Sequence, residues 1–181
     1  MNLPNLLTLS RIIMIPLMVI SYYWFGSNGP IISAVLFAAA SITDWFDGYL
    51  ARKWNQTSAL GAFLDPVADK LIVAVALVLL VEQFAQPWIT IAASIIIGRE
   101  VVVSALREWM AELGKRANVA VSYIGKVKTA LQMFSITTLL CSGLFAWVDT
   151  LGTLALYLAA ILTIWSMVLY LKAAWPELMK S

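Results

Sequence analysis

Four aspartates stand close together in this chain of 181 residues: Asp44, Asp47, Asp65 and Asp69. Gly48, Ala51, Arg52 and Gly61 are set among them. Asp44, Asp47, Gly48, Ala51 and Arg52 fall at i, i+3, i+4, i+7 and i+8, which is one face of an α-helix. Gly61, Asp65 and Asp69 fall at i, i+4 and i+8, one face of a second helix. Carboxylates gathered in a medium of low dielectric repel one another, so either some are protonated or cations lie between them. Two divalent ions balance four negative charges, and two metals about 4 Å apart form a clamp for phosphoryl displacement. The chain has no histidine and a single cysteine, Cys141, in the apolar run TTLLCSGLF, where it reads as a small buried or lipid-facing residue. The usual transition-metal ligands are therefore missing. A metal here is held by oxygen, which points to Mg²⁺, with Mn²⁺ or Ca²⁺ as alternatives.

The elements that position these groups follow from composition. The chain is 62% hydrophobic and 12% charged, whereas soluble domains are about a quarter charged. It reads as an all-α, polytopic membrane protein, one domain over residues 1–181. Spanning a bilayer takes about 20 apolar residues. Six such stretches are expected, at 5–25, 30–52, 60–81, 87–108, 124–146 and 150–172. Gly26-Ser27-Asn28-Gly29-Pro30, Asn55-Gln56-Thr57-Ser58 and Gln86-Pro87 are the turn signals between them. Arg11 interrupts the first apolar stretch and no small-residue cleavage site follows, so a retained helix is expected there. The loops after the first, third and fifth spans hold Glu82 and Asp149 but no Lys or Arg; all 12 basic residues fall toward the other side. By the positive-inside rule that side is cytoplasmic, with both termini on it. The four aspartates then lie at the cytoplasmic ends of spans two and three, which the short connection turns into an antiparallel hairpin with opposed carboxylate faces. Trp24, Trp88 and Trp147 lie near the opposite ends, as interfacial anchors do.

Plainer readings stand beside these. Gly48, Ala51 and Gly61 suit close helix packing as well as ligand approach. Arg52 can snorkel to headgroups or contact a phosphate. Structural salt bridges are a weak account of four aspartates, because the only nearby cations are Arg52, Lys53 and Lys70. Ionisable groups at membrane depth are expensive and mark function by default.

The full pattern reads D-x-x-D-G-x-x-A-R-x(8)-G-x-x-x-D-x-x-x-D from Asp44 to Asp69. It resembles, at every fixed position, the signature of the CDP-alcohol phosphotransferase family. The resemblance implies a six-helix membrane enzyme, usually a homodimer, that binds two divalent cations and moves a phosphatidyl-type group from a CDP-linked donor to an alcohol, releasing CMP. It implies that Asp44, Asp47, Asp65 and Asp69 hold metal, with Asp69 also the catalytic base. Asp47, Gly48, Ala51, Arg52 and Gly61 match the CDP-binding positions. The stretch Pro4-Asn5-Leu6-Leu7-Thr8-Leu9-Ser10-Arg11, Gly98-Arg99-Glu100, Ser104-Ala105-Leu106-Arg107-Glu108, and Gly125-Lys126-Val127-Lys128-Thr129 with Gln132 are similar to the bacterial branch whose acceptor is sn-glycerol 3-phosphate. That branch implies CDP-diacylglycerol as donor, anionic phospholipid biosynthesis as setting, and a multi-pass protein of the bacterial inner membrane with its site on the cytoplasmic side. Arg99, Arg107 and Lys126 are suggested as the acceptor-phosphate pocket, and Thr8 and Arg11 as further substrate contacts. The plainer alternative is that Arg99, Arg107 and Lys126 are headgroup-level charges pairing Glu100, Glu108 or Glu112. Lys115 and Arg116 read as surface charges facing anionic lipid.

Other function classes fit less well. A membrane prenyltransferase typically shows D-D-x-x-D runs. A divalent-cation transporter needs polar groups continuing toward the outer face, where spans two and three are apolar. Within the family, serine needs no phosphate pocket, while inositol phosphate does. No nucleic-acid partner is expected.

Overall fold

The computed structural model describes residues 3–54, 59–114 and 123–179; the side chains of 3–5, 45–54, 59, 60, 62, 123, 124 and 146 lie outside that description. Among the described residues the chain forms six α-helices and no strand: α1 (Leu3–Trp24), α2 (Gly29–Trp54), α3 (Ala59–Phe84), α4 (Pro87–Glu112), α5 (Tyr123–Leu140) and α6 (Ala146–Leu178). A single 3₁₀ turn, Gly26–Asn28, joins α1 to α2. Gly29 is required at that corner by space. A Cβ there would lie 2.2 Å from the Tyr22 carbonyl oxygen and 2.8 Å from that of Ser21, backbone atoms that cannot swing aside. One turn further on, Ser33 Oγ donates to the carbonyls of Met18 and Gly29, both at 2.9 Å, and pins α2 against α1.

Every helix contributes to one core. Met18 of α1, Phe37 of α2, Leu77 and Leu80 of α3, Ile96 of α4, Ile136 of α5 and Leu156 of α6 are all fully buried in it. A smaller cluster, Val103, Leu106 and Met110 with Tyr170 and Ala174, joins the second halves of α4 and α6. The opposite faces are apolar too: Ile13, Ile20, Val35, Ile91, Val101, Ile161 and Trp165 are all exposed. An apolar girdle on that scale has no place in water, and it is what a bilayer solvates.

Among the described residues four helices are long and apolar enough to cross a membrane: Leu6–Trp24, Gly26–Asp44, Pro87–Glu112 and Trp147–Leu178. α3 and α5 are not among them. α3 carries Asp65, Asp69, Lys70 and Glu82, and α5 is only 18 residues long with Lys126 and Lys128 near its start. The fifth element also ends earlier than its hydropathy suggests, at Leu140 rather than 146. Gly143 takes φ +89°, a left-handed turn that the apolar flanks Cys141 and Leu144 conceal, and α6 starts at Ala146 and runs to Leu178. The other helices match their expected stretches to within a few residues.

The neighbours of the two aspartate helices are the main departure from the expected arrangement. α1 packs extensively on α2 and also on α3, whereas α2 and α3 touch little among the described residues. The two carboxylate faces therefore do not simply oppose each other. The first turns of α1 lie between them.

Candidate active site

Thr8 and Arg11, three residues apart on α1, share one helical face, and both are 1% exposed. That face meets the carboxylates. Arg11 Nη1 donates to Asp44 Oδ1 at 2.8 Å and also to Asp69 Oδ1, and Nη2 lies 3.5 Å from Asp65 Oδ1. Thr8 Oγ1 donates to the same oxygen of Asp65. Aspartates from two helices thus converge on one guanidinium from a third. A planar guanidinium suits this task, because its five donors fan out in one plane.

The charges do not balance. Three carboxylates and one guanidinium leave two negative charges among the described groups, before Asp47 is counted. The carboxylates are not sealed in either: Asp44, Asp65 and Asp69 keep 43%, 47% and 40% of their side chains exposed, against 1% for Arg11. A buried cation thus holds carboxylates that remain partly open to solvent. The donor set is all hard oxygen, which fits Mg²⁺ or Mn²⁺. Among the described residues no group of three acidic or thiol side chains is already spaced to hold an ion. The fourth aspartate, Asp47, and Gly48, Ala51 and Arg52, the positions expected to bind CDP, lie within α2, but their side chains are outside the described residues. Gly61 is buried on α3.

A cavity of about 370 Å³ opens on this cluster. Asp44, Asp65 and Asp69 line it on one side; Lys70, Arg107, Thr129 and Gln132 contribute the remaining wall with Glu100. A second, larger cavity of about 580 Å³ shares Pro66, Lys70 and Arg107 with the first. Arg107 and Lys70 therefore stand where the two spaces meet. The adjoining spaces thus bring the aspartates together with Lys70 and Arg107, with Glu100 and Glu108 also on their walls, a mixed lining that suits a ligand needing both a bound cation and a fixed positive charge.

The three cations expected to bind acceptor phosphate sit in different places. Arg107 is exposed and lines both cavities. Lys126 is exposed near the start of α5 and is not among the residues lining either cavity. Arg99 is buried behind the wall. Its Nη1 donates to Glu100 Oε1 at 3.0 Å, its Nη2 to Ser166 Oγ at 3.2 Å, and its guanidinium lies 5.5 Å from the centre of the Tyr170 ring. Lys128, only 2% exposed, donates to the same Glu100 oxygen from α5. This network joins α4, α5 and α6 beside the cavity. Lys70, Glu100, Lys128 and Gln132 also belong to the site's surroundings; of these, sequence reasoning gave a role only to Glu100, as a partner for the neighbouring cations, and Arg99 does pair with it. Two signals were in reach: Lys70 directly follows Asp69, and a charged Glu100 four residues before Ser104 in an apolar helix needs a partner.

An all-helical bundle with an apolar exterior and a carboxylate–guanidinium cluster at one end defines a membrane-embedded protein with a polar site. The class is sharpened by comparison with known proteins. A family profile described as CDP-alcohol phosphatidyltransferase matches residues 1–165, so the chain belongs to that family. Among curated relatives, the CDP-diacylglycerol--glycerol-3-phosphate 3-phosphatidyltransferases of Salmonella choleraesuis (strain SC-B67) and Salmonella typhi are each 53% identical over 178 residues, covering 98% of this chain and 97% of theirs. The protein of that name from Escherichia coli (strain K12) is 52% identical over the same span.

Proposed function

We propose that this chain transfers the phosphatidyl group of CDP-diacylglycerol to sn-glycerol 3-phosphate, giving phosphatidylglycerophosphate and CMP in anionic phospholipid biosynthesis. Identity of 52–53% over nearly the whole length to relatives named for that reaction carries the reading. The presence of carboxylates and of the cations Lys70 and Arg107 in one cavity agrees with it, because both substrates carry phosphate and one presents a hydroxyl.

The roles follow from the arrangement. Asp44, Asp65 and Asp69, with Asp47, hold two divalent cations, Mg²⁺ or Mn²⁺. Bound there, the ions supply the positive charge that lets a diphosphate approach an acidic cluster. Asp47, Gly48, Ala51, Arg52 and Gly61 bind the CDP moiety. Thr8 and Arg11 orient the carboxylates and contact the donor. Arg107 receives the acceptor's phosphate, while Arg99, held by Glu100 and Ser166, braces the wall behind it and Lys126 stays outside both cavities. Asp69 takes the proton of the attacking hydroxyl. One P–O bond forms from that oxygen to the lipid-side phosphorus, and the P–O bond to CMP breaks. A carboxylate of pKa about 4 is a weak base for an alcohol, so fixed positioning of the hydroxyl supplies much of the effect. A covalent intermediate is disfavoured by the residue inventory: there is no histidine, and Cys141 lies beyond the far end of α5 from Lys128.

The chain acts as one domain over residues 1–181, a homodimer in the bacterial inner membrane. α3 and α5 complete six spans, both termini are cytoplasmic, and the site faces the cytoplasm. The one-sided distribution of the 12 basic residues supports this orientation. Acyl tails can then stay in the bilayer while glycerol 3-phosphate enters from water.

The test is CMP release by purified protein with CDP-diacylglycerol and Mg²⁺. Release is expected with glycerol 3-phosphate and not with serine, inositol or inositol phosphate. Release with serine alone would sink the acceptor assignment and keep the family chemistry. Arg107→Ala is expected to raise the KM for glycerol 3-phosphate by about 10- to 100-fold with a smaller change in kcat, the effect of losing one charge-assisted contact to phosphate. An unchanged KM would return Arg107 to a headgroup charge.

A further inference from the structure

Gln132 is a buried, uncharged polar side chain on the wall of the site. It is 3% exposed, and its Oε1 is fully buried with no hydrogen-bond partner. Buried side-chain oxygens are nearly always paired, and one left open is explained by a ligand or a water. Gln132 also lines the 370 Å³ cavity.

The placement of its neighbours shows what passes in front of it. Lys128, Thr129, Gln132 and Met133 fall at i, i+1, i+4 and i+5, one face of α5. At one end of this face Lys128 is bound to Glu100 of α4, the helix that carries Arg107. At the other end Met133 Sδ accepts from Ser41 Oγ of α2 at 3.4 Å, one turn before Asp44. Gln132 therefore stands between the helix of the basic wall and a helix of the carboxylates. Resting on the functional reading above, an acceptor whose phosphate is at Arg107 and whose reacting hydroxyl is at Asp69 spans that interval with its middle carbon.

We infer that Gln132 reads the non-reacting, middle hydroxyl of the acceptor, its Oε1 accepting the hydroxyl proton, and so selects a vicinal diol phosphate over a simple hydroxyalkyl phosphate. An amide suits the task because it offers an acceptor and two donors without charge. Thr129 on the same wall has its hydroxyl proton committed to the carbonyl of Gly125 at 2.9 Å, so it does not donate to the acceptor.

The experiment compares two acceptors: glycerol 3-phosphate and 3-hydroxypropyl phosphate, which keeps the phosphate and the reacting hydroxyl but lacks the middle one. The wild-type full-length protein is expected to favour glycerol 3-phosphate by about 100-fold or more in kcat/KM, because a site built to bond a hydroxyl rejects the analogue without it. Gln132→Leu, close in volume, is expected to lose most of that factor with glycerol 3-phosphate while its rate with the analogue stays within about threefold of wild type. Gln132→Glu, which keeps an acceptor oxygen, is expected to retain a preference for glycerol 3-phosphate. The inference is overturned if wild type does not discriminate, if Gln132→Leu still does, or if the variant slows equally on both acceptors. Absence of CMP release by wild type with glycerol 3-phosphate would instead overturn the functional reading and this inference with it.

Discussion

Asp69→Asn is expected to lower kcat for CMP release by about 10³-fold, within the range that a positioned general base contributes. Two losses combine. The carboxamide has no basic lone pair for the acceptor's proton, and the cluster loses one of the charges that attract a divalent cation. The shape is nearly unchanged, and the amide oxygen can still accept from Arg11 Nη1, so the contact that joins α1 to α3 survives. The far-UV circular dichroism and the elution volume of the purified variant should therefore match wild type. A variant that keeps more than about a tenth of the wild-type kcat would remove Asp69 from the chemistry, given the magnitude above.

Arg11→Gln is expected to act on stability and to do so in a cation-dependent way. Arg11 is the buried member of an ion cluster with Asp44, Asp65 and Asp69. Removing one partner of a buried pair destabilises by about 3–5 kcal/mol because the remaining charge is uncompensated. The carboxylates here are nearly half exposed, and water screens them, so about 3 kcal/mol or less is expected. The variant should melt well below wild type in the presence of a chelator. Adding Mg²⁺ should raise its melting temperature more than that of wild type, because the ion would supply the charge that Arg11 no longer provides, and binding to the folded state stabilises it. Equal responses of the two proteins to Mg²⁺ would show that the carboxylates do not bind the ion through the oxygens that face Arg11.

Much of the bundle was legible because its signals are local. Apolar stretches of about 20 residues are long-range enough to be unmistakable, and Gly29-Pro30 and Gln86-Pro87 mark where two of them begin. The boundary after α5 was not legible, because Ser142-Gly143 is a two-residue interruption of an apolar run and a hydropathy reading passes straight through it. The carboxylate faces were legible for the same reason as the helices: a spacing of three and four residues has one meaning on a helix. α2 and α3 are continuous through Asp44 and Asp69, as that spacing requires.

Arg99 shows where local reasoning ends. Its spacing from Arg107, i to i+8, puts the two near one face, and both were expected to bind phosphate. Their packing separates them. Arg99 points into α6, where Ser166 and Tyr170 receive it, and Arg107 opens on the cavities. A rotation of a few tens of degrees between two side chains of one helix decides which is structural and which is available, and only the neighbouring helix fixes that rotation.

By itself the sequence determined the membrane class, the oxygen-only character of the site and the four aspartates with their family signature, since each depends on residue type and on spacing within one helix. Only the tertiary structure decided that α1 enters between the aspartate helices, that Arg11 and Thr8 meet the carboxylates, and that Gln132, a residue of the cavity lining, has its Oε1 buried and unpartnered. Those facts depend on contacts across 28 to 58 positions of chain, such as Lys128 with Glu100 and Arg11 with Asp69. Packing of whole helices sets such contacts, and no periodicity within a single helix encodes them.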